Sequence, residues 1–235
     1  MTVGPAPEQP AQDPEPFGRY LEDHRHRVEL TAGLVAAAAP PAGPILDVGA
    51  SPVSPILPKL WPGRAVHVVD PDPRWSDLDR QGIHFARGSI MDESLPFADG
   101  TFAAVVASEV FEHVLECPEH LLARLARVTA PGGLVAVTVP NQARLANRIR
   151  LLFGRSVAES PSLAYHRPWM GYGHLHEYTL GEVRREFHAP SLATVRVGAF
   201  DPYDRGKFQP IISLVGALQL TGWREVLYGI YRRTG

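Results

Sequence analysis

The sequence predicts an open, doubly wound α/β sheet of seven mostly parallel strands, with an insertion after the fifth. Three observations predict it. Short apolar runs alternate with helical segments along most of the chain, and two of these runs close on Asp47–Gly49 and on Asp70. The alternation breaks once, in a long Arg- and aromatic-rich stretch directly after "LVAVTVP". Parallel strands buried on both faces read as near-continuous apolar runs, and helices between them signal crossover connections. A chain of 235 residues is long enough for one large domain of this kind.

The elements follow in order. Residues 1–16, rich in proline and polar side chains, read as a disordered leader, and 17–235 as a single domain. Helical spacing runs from Phe17 to Ala39 through Val28, Leu34 and Val35, and Pro40 and Pro41 stop it. "PILDVG", Ala65–Asp70 and Ile83–Gly88 are the first three strands, and Thr101–Ser108 is the fourth, after an Asp99-Gly100 turn. A helix over Pro118–Val128 closes at Pro131-Gly132-Gly133, and Leu134–Pro140 is the fifth strand. Thr179 begins another helix as N-cap, with Glu182 three residues on completing a capping box. "ATVRVGAF" and "EVLYGIYRR" are the last two strands, paired as a hairpin at one edge, with an apolar helix from Pro210 to Leu220 between them.

Composition excludes several classes. Net charge is −2, which offers no global attraction to nucleic acid or an anionic membrane. Cys117 is the single cysteine, so an intrachain disulfide and a multi-cysteine metal site are both ruled out. The longest apolar run, Ile211–Leu220, is half the ~20 residues of a membrane span. The N-terminus lacks a signal-peptide layout, so the expected location is cytoplasmic, with no membrane partner.

The first candidate site lies at the ends of strands one and two. Gly49 permits a tight turn and close approach of a ligand to the backbone. Asp70 follows Asp47 by 23 residues, near the ~20-residue spacing of an acid that accepts ribose hydroxyls. Taken alone, Asp70 could equally end a strand before Pro71.

The ordered run "ILDVGA … VVD … GSIMDESLPFADGTFAAVVASEVFEHV … LARVTAPGGLVAVTVPN … HEYTLGEV" resembles the class I S-adenosylmethionine-dependent methyltransferases, from Ile45 to Phe187. It is similar in particular to the branch found in sugar, polysaccharide and natural-product pathways. The resemblance implies a Rossmann-like sheet and S-adenosylmethionine as cofactor. Asp47, Gly49, Ala50 and Ser51 would line its methionine part, and Asp70 with Pro71 its ribose. Ser89, Ile90 and Met91 would lie against the adenine, and Ser108, Glu109 and Val110 would border the sulfonium. The family usually has glycine where Ser51 stands and an acid where Ser89 stands, so Asp92 is expected to reach the adenine amine.

The second candidate site is "SEVFEHV". If a helix begins there, Glu109, Glu112 and His113 share one face. Three readings compete: helix-terminus charges with a structural histidine, a general base supplied by His113 or by His174 of the insertion, or a divalent cation. The E-x-x-E-H pattern resembles the metal signature of ubiquinone-pathway and small-RNA 2′-O-methyltransferases. That implies Mg²⁺ or another divalent cation on Glu109, Glu112, His113 and His174. The principal assignment is a metal-free site with His113 and His174 catalytic.

The third is the insertion, about 141–178. Arg144, Arg148, Arg150 and Arg155 occur there with no acid between Asn141 and Arg155, and three of them can share a helical face as a clamp for an anionic acceptor. "YHRPWMGYGHLHEY" adds Trp169, Tyr172 and three histidines, with Gly171 and Gly173 as lid hinges. The expected function is methyl transfer to a small molecule, to a hydroxyl of a sugar or natural-product intermediate, by a monomer or homodimer. The alternatives are a metal-dependent RNA 2′-O-methyltransferase, against which the charge balance weighs, and a non-catalytic S-adenosylmethionine-binding protein.

Overall fold

The strands are β1 (Ile45–Val48), β2 (Val66–Asp70), β3 (Ile83–Arg87), β4 (Phe102–Ser108), β5 (Thr129–Pro140), β6 (Leu192–Phe200) and β7 (Val226–Arg233). The helices are α1 (Pro14–Ala37), α2 (Leu57–Leu60), α3 (Pro118–Val128), α4 (Leu145–Leu152), α5 (Leu180–Glu186) and α6 (Gln209–Ala217). The structure is a computed structural model and describes residues 14–158, 173–203 and 209–235. The strands form one seven-stranded sheet in the order β3-β2-β1-β4-β5-β7-β6. β1 runs parallel to both β2 and β4, with Ile45 opposite Val66 on one side and Ala104 on the other. β7 lies antiparallel between β5 and β6, as the edge hairpin requires.

Strand alternation sends side chains to two layers. Ile45, Val68, Ala104 and Val106 pack against Ala32 and Val35 of α1, Leu57 of α2 and Trp61 just after it. Leu46, Val48, Val105 and Ala107 pack on the other face against Leu121, Leu122 and Leu125 of α3 and Val183 of α5. Successive side chains of a strand point to opposite faces, so one apolar run serves both layers. The sheet is therefore covered twice, as a doubly wound fold demands.

Two elements differ from the expectation. α1 starts at Pro14, inside the segment read as a leader, while residues 1–13 lie outside the described residues. β5 starts at Thr129, so Pro131-Gly132-Gly133 is a bulge inside a strand and not the gap before one. Pairing with β4 jumps there, from Phe102 opposite Thr129 to Ala104 opposite Leu134. A Cβ on Gly133 would lie 2.8 Å from the Ala130 carbonyl oxygen, so the crowded bulge requires glycine.

The chain leaves the sheet after β5 and returns at Tyr178. The buried Asn141 secures that exit: its Nδ2 donates to the carbonyls of Gly222 (3.0 Å) and Arg224 (2.7 Å), and its Oδ1 accepts from Ala143 N–H at 2.9 Å. Asn141 also bridges to Tyr178. The capping box forms as read, with Thr179 Oγ1 accepting from Glu182 N–H and the Glu182 carboxylate accepting from Thr179 N–H at 2.6 Å. Among the described residues no helix is long and apolar enough to cross a membrane.

Candidate active site

The strand order reverses between β1 and β4, and in open α/β sheets ligands bind outside the C-terminal ends of the strands at such a point. A cavity of about 1540 Å³ lies there. Its walls include all the residues expected to hold the cofactor, Asp47, Gly49, Ala50, Ser51, Asp70, Pro71, Ser89, Ile90, Met91, Ser108 and Glu109, and both catalytic candidates, His113 and His174.

At the β1 end, Gly49 has φ +90°, and a Cβ there would stand 3.0 Å from Val110 Cγ2. Glycine is therefore required both by backbone conformation and by space. The loop beyond keeps its shape without further glycines: Ser51 N–H donates to Ser54 Oγ at 2.9 Å, and Ser54 N–H donates back to the Ser51 carbonyl. Asp70 joins the two strand ends. Its Oδ2 accepts from Ala50 N–H at 2.9 Å and its Oδ1 from Asp72 N–H at 2.8 Å. Burial nevertheless raises its pKa, with these two hydrogen bonds pulling the other way. Each carboxylate oxygen keeps a second acceptor site, so a vicinal diol such as that of a ribose fits Asp70 without displacing the loop. Asp47 is half-buried on the cavity wall, and desolvation pushes its pKa up to about 8 against the pull of Arg27.

At the adenine wall the expectation needs correction. Asp92 Oδ2 accepts from Ser89 N–H at 2.7 Å, and Asp92 is not part of the cavity wall. That oxygen shapes the turn at Ser89. Ile90, buried, and Met91, exposed, supply the apolar surface there.

The stretch after β4 is not an α-helix. It is a single 3-10 turn, Phe111–His113, preceded by Glu109 at φ +58°. A left-handed conformation is uncommon for a residue with a side chain and is held by its surroundings. Glu109 N–H donates to the Thr138 carbonyl, its Oε1 accepts from Thr138 Oγ1 at 3.2 Å, and its Oε2 lies 3.3 Å from Arg27 Nη1. Both Glu109 oxygens are thus engaged by Thr138 and Arg27, and Glu109 is not among the residues whose ligand atoms cluster. Ligand atoms of Glu112, His113 and His174 do come within 4.8 Å of one another.

Glu112 is fully buried, and neither carboxylate oxygen has a hydrogen-bond partner. Burial, reinforced by the Glu109 charge, drives its pKa well above the ordinary carboxylate range. Its carbonyl accepts the N–H groups of Leu175 (2.7 Å) and His176 (3.2 Å), fastening the returning chain over the pocket. The rings of His113 and His174 then meet edge to face at 5.0 Å. His174 Nδ1 lies 2.9 Å from Glu177 Oε1, and Arg144 Nη1 donates to Glu177 Oε2 at 2.9 Å. Burial tends to raise the Glu177 pKa, but the hydrogen bonds from His174 and Arg144 outweigh it and hold the carboxyl below its usual range.

The arginine clamp does not assemble. Arg144 precedes α4 and is paired to Glu177 and, at 3.5 Å, to Glu225. The Arg148 guanidinium sits over the Trp223 ring at 5.0 Å, and Arg155 lies beyond the end of α4. Trp169, Gly171 and Tyr172 lie outside the described residues.

Residues that sequence reasoning missed come from α1. His24, Arg27, Val28 and Thr31 line the cavity, at i, i+3, i+4 and i+7 on one helix face. Polar groups on a face that also carries apolar residues were the available signal. Burial, with the Arg27 charge, lowers the His24 pKa to about 4.

Comparison with known proteins agrees with this geometry. Residues 46–137 match the family described as "Methyltransferase domain". An "Uncharacterized methyltransferase" of Mycobacterium sp. (strain JLS) is 33% identical over 130 residues, 54% of this chain and 50% of the relative. The chain thus spans about half the length of the curated relatives it matches. An S-adenosylmethionine-dependent methyltransferase from Mesorhizobium loti superimposes with a TM-score of 0.56 at 18% identity, covering 86% of this chain and 96% of the other. The cyclase SpnF superimposes equally well, with a TM-score of 0.57 at 15% identity over 88% of this chain and 81% of its own. The architecture is the Rossmann-like fold that these solved structures share.

Proposed function

We propose that this protein is an S-adenosylmethionine-dependent methyltransferase acting on a hydroxyl of a small molecule, a sugar or natural-product intermediate. The observation that carries the proposal is Asp70, a ribose-compatible carboxylate on the second strand of a segment matching a methyltransferase domain, facing the glycine turn at Gly49. When bound, S-adenosylmethionine supplies an electrophilic methyl group on a cationic sulfonium. The protein then mainly aligns the acceptor and excludes water. Asp70 accepts ribose hydroxyls, Ile90 and Met91 face the adenine, and Ser108 with Glu109 borders the reacting end.

A hydroxyl acceptor must lose a proton, and His174 is the base we assign. Glu177 holds its Nδ1 at 2.9 Å, which leaves Nε2 as the basic nitrogen, and His113 packs beside it. Because Arg144 is neutralised by two glutamates, a neutral polyhydroxyl acceptor suits this pocket better than an anionic one.

A second reading, a divalent cation on Glu112, His113 and His174, is favoured by one observation: neither buried Glu112 oxygen has a hydrogen bond, and one lies 3.8 Å from His113 Nε2. Incubation with methyl-labelled S-adenosylmethionine and a panel of sugar and polyketide alcohols, with and without chelator, separates the readings. Transfer unaffected by chelator is expected. Chelator-sensitive transfer restored by Mg²⁺ or Mn²⁺ would favour the cation. Tight calorimetric binding of NAD with none of S-adenosylhomocysteine would end the methyltransferase reading.

A further inference from the structure

We infer that the face of the molecule built from α4, α6 and Trp223 docks on an anionic lipid surface. α4 follows the C-terminal end of β5, and α6 precedes β7, which enters the sheet from that same edge. The turn at 221–223 lies between them and packs against α6. Arg148 of α4 covers the Trp223 ring, and Asn141 at the start of the insertion grips the carbonyls of Gly222 and Arg224.

Neither helix is embedded in the core. Asn147 is the one fully buried side chain of α4, and Val215 is the one buried among the described side chains of α6. Large apolar groups point outward instead: Leu151, Leu152 and Phe153 are 59%, 79% and 73% exposed, and Ile211, Leu214 and Leu218 are 48%, 56% and 59% exposed. Isolated exposed leucines are ordinary, but Leu151, Leu152 and Phe153 are exposed in succession, and exposed apolar patches mark interaction surfaces.

Charge selects the partner. Residues 141–158 contain four arginines and no acid, and residues 209–223 contain no charged side chain. Arg148, Arg150 and Arg155 have no carboxylate partner among the described residues. Exposed leucine, isoleucine, phenylalanine and tryptophan flanked by unneutralised arginine are the chemistry of an interfacial helix on anionic headgroups. A spanning segment is not needed for this. The absence of a membrane partner expected from net charge alone overlooked a local surface whose charge differs from the total.

Sedimentation of the full chain with lipid vesicles tests the inference. Binding to mixed phosphatidylcholine–phosphatidylglycerol vesicles is expected, much weaker on phosphatidylcholine alone and weakened by salt. Leu152→Asp with Phe153→Asp should abolish it. Arg150→Gln with Arg155→Gln should weaken it about thirtyfold. All four positions are exposed, and unchanged circular dichroism and melting temperature will verify that the variants fold. Failure of the wild-type chain to bind anionic vesicles overturns the proposal, as does unchanged binding by the Leu152/Phe153 variant. A wild-type dimer that becomes monomeric in that variant, without vesicle binding, would overturn it too, by assigning the face to a second copy of the chain.

Discussion

The two halves of the pocket are built differently. On the side we assign to the cofactor, Asp70 and Gly49 stand at the ends of buried strands, and each is fixed by backbone hydrogen bonds: Ala50 and Asp72 N–H to Asp70, and Gly49 N–H to the Val69 carbonyl. On the acceptor side, the groups arrive from far along the chain and are fixed by other side chains. Glu177 orients His174, Arg144 holds Glu177, and Glu225 holds Arg144. Strand ends supply a constant edge, while the excursion after β5 can change without disturbing the sheet. On the proposed function, the half assigned to the cofactor is scaffold and the half assigned to the acceptor is attached to it, an arrangement that lets one fold host unrelated reactions.

The sharpest way to break this comparison is at His174. His174→Ala should lower turnover of an accepted alcohol by about 10²–10⁴-fold while calorimetric affinity for S-adenosylhomocysteine stays unchanged. Glu177→Gln should lower turnover less, because the amide can still orient the His174 ring but lacks the charge of the carboxylate. Equal loss of cofactor affinity in His174→Ala would erase the division between halves.

Asp70→Ala is the converse test and comes next in size. It removes an acceptor of ribose hydroxyls and should cost about 1.5–3 kcal/mol of S-adenosylhomocysteine affinity, the range for hydrogen bonds to a charged group. Because Asp70 also receives Ala50 N–H, a second variant is informative. Asp70→Asn keeps one carbonyl oxygen for the loop, so affinity lost in Asp70→Asn with an unchanged melting temperature assigns the loss to the ligand.

These tests fall where the sequence was most and least legible. The places of Asp70 and Gly49 at strand ends could be read because strand ends are marked by apolar runs of local origin. The five parallel strands and the capped helix α5 were legible for the same reason. What failed was decided by long-range contact. Pro131-Gly132-Gly133 looked like a break and is a bulge, because pairing with β4 overrides local preference. Glu109 had helical spacing from Glu112, yet Thr138 and Arg27 hold it in a left-handed turn. Arg144 looked free to bind an anion because Glu225 lies 81 residues away in the sequence. Nothing in a chain with one observed sequence announces that contact.

Asp47 sharpens the cofactor side through pH. Its folded pKa, about 8, lies above the ordinary 3.8, so between these values the folded state keeps a proton that the unfolded state has released. Stability is therefore fully present below pH ~4 and declines as pH rises toward ~8, at most by about 1.4 kcal/mol per pH unit. Asp47→Asn removes that slope, and urea unfolding of both proteins from about pH 5 to 7 will show it. A parallel decline in the variant would mean that Asp47 is ionised in the folded pocket and paired with Arg27.

The smallest effect tests how the acceptor side is fastened. Thr179 caps α5 through Glu182, and α5 places Val183 in the core directly after the strand-like bridge of Tyr178 to Asn141. His174 and Glu177 hang on the same few residues, so the cap anchors the chain that carries the base we propose. Thr179→Ala should cost about 1 kcal/mol of global stability, read as a lower urea midpoint at constant slope. Thr179→Ser retains the hydroxyl and should recover most of it. Loosening the cap should also lower turnover modestly without altering S-adenosylhomocysteine affinity, because α5 supports the acceptor side and touches no cofactor wall. A loss of cofactor affinity in Thr179→Ala, with Thr179→Ser restoring it, would show that the two halves are mechanically one.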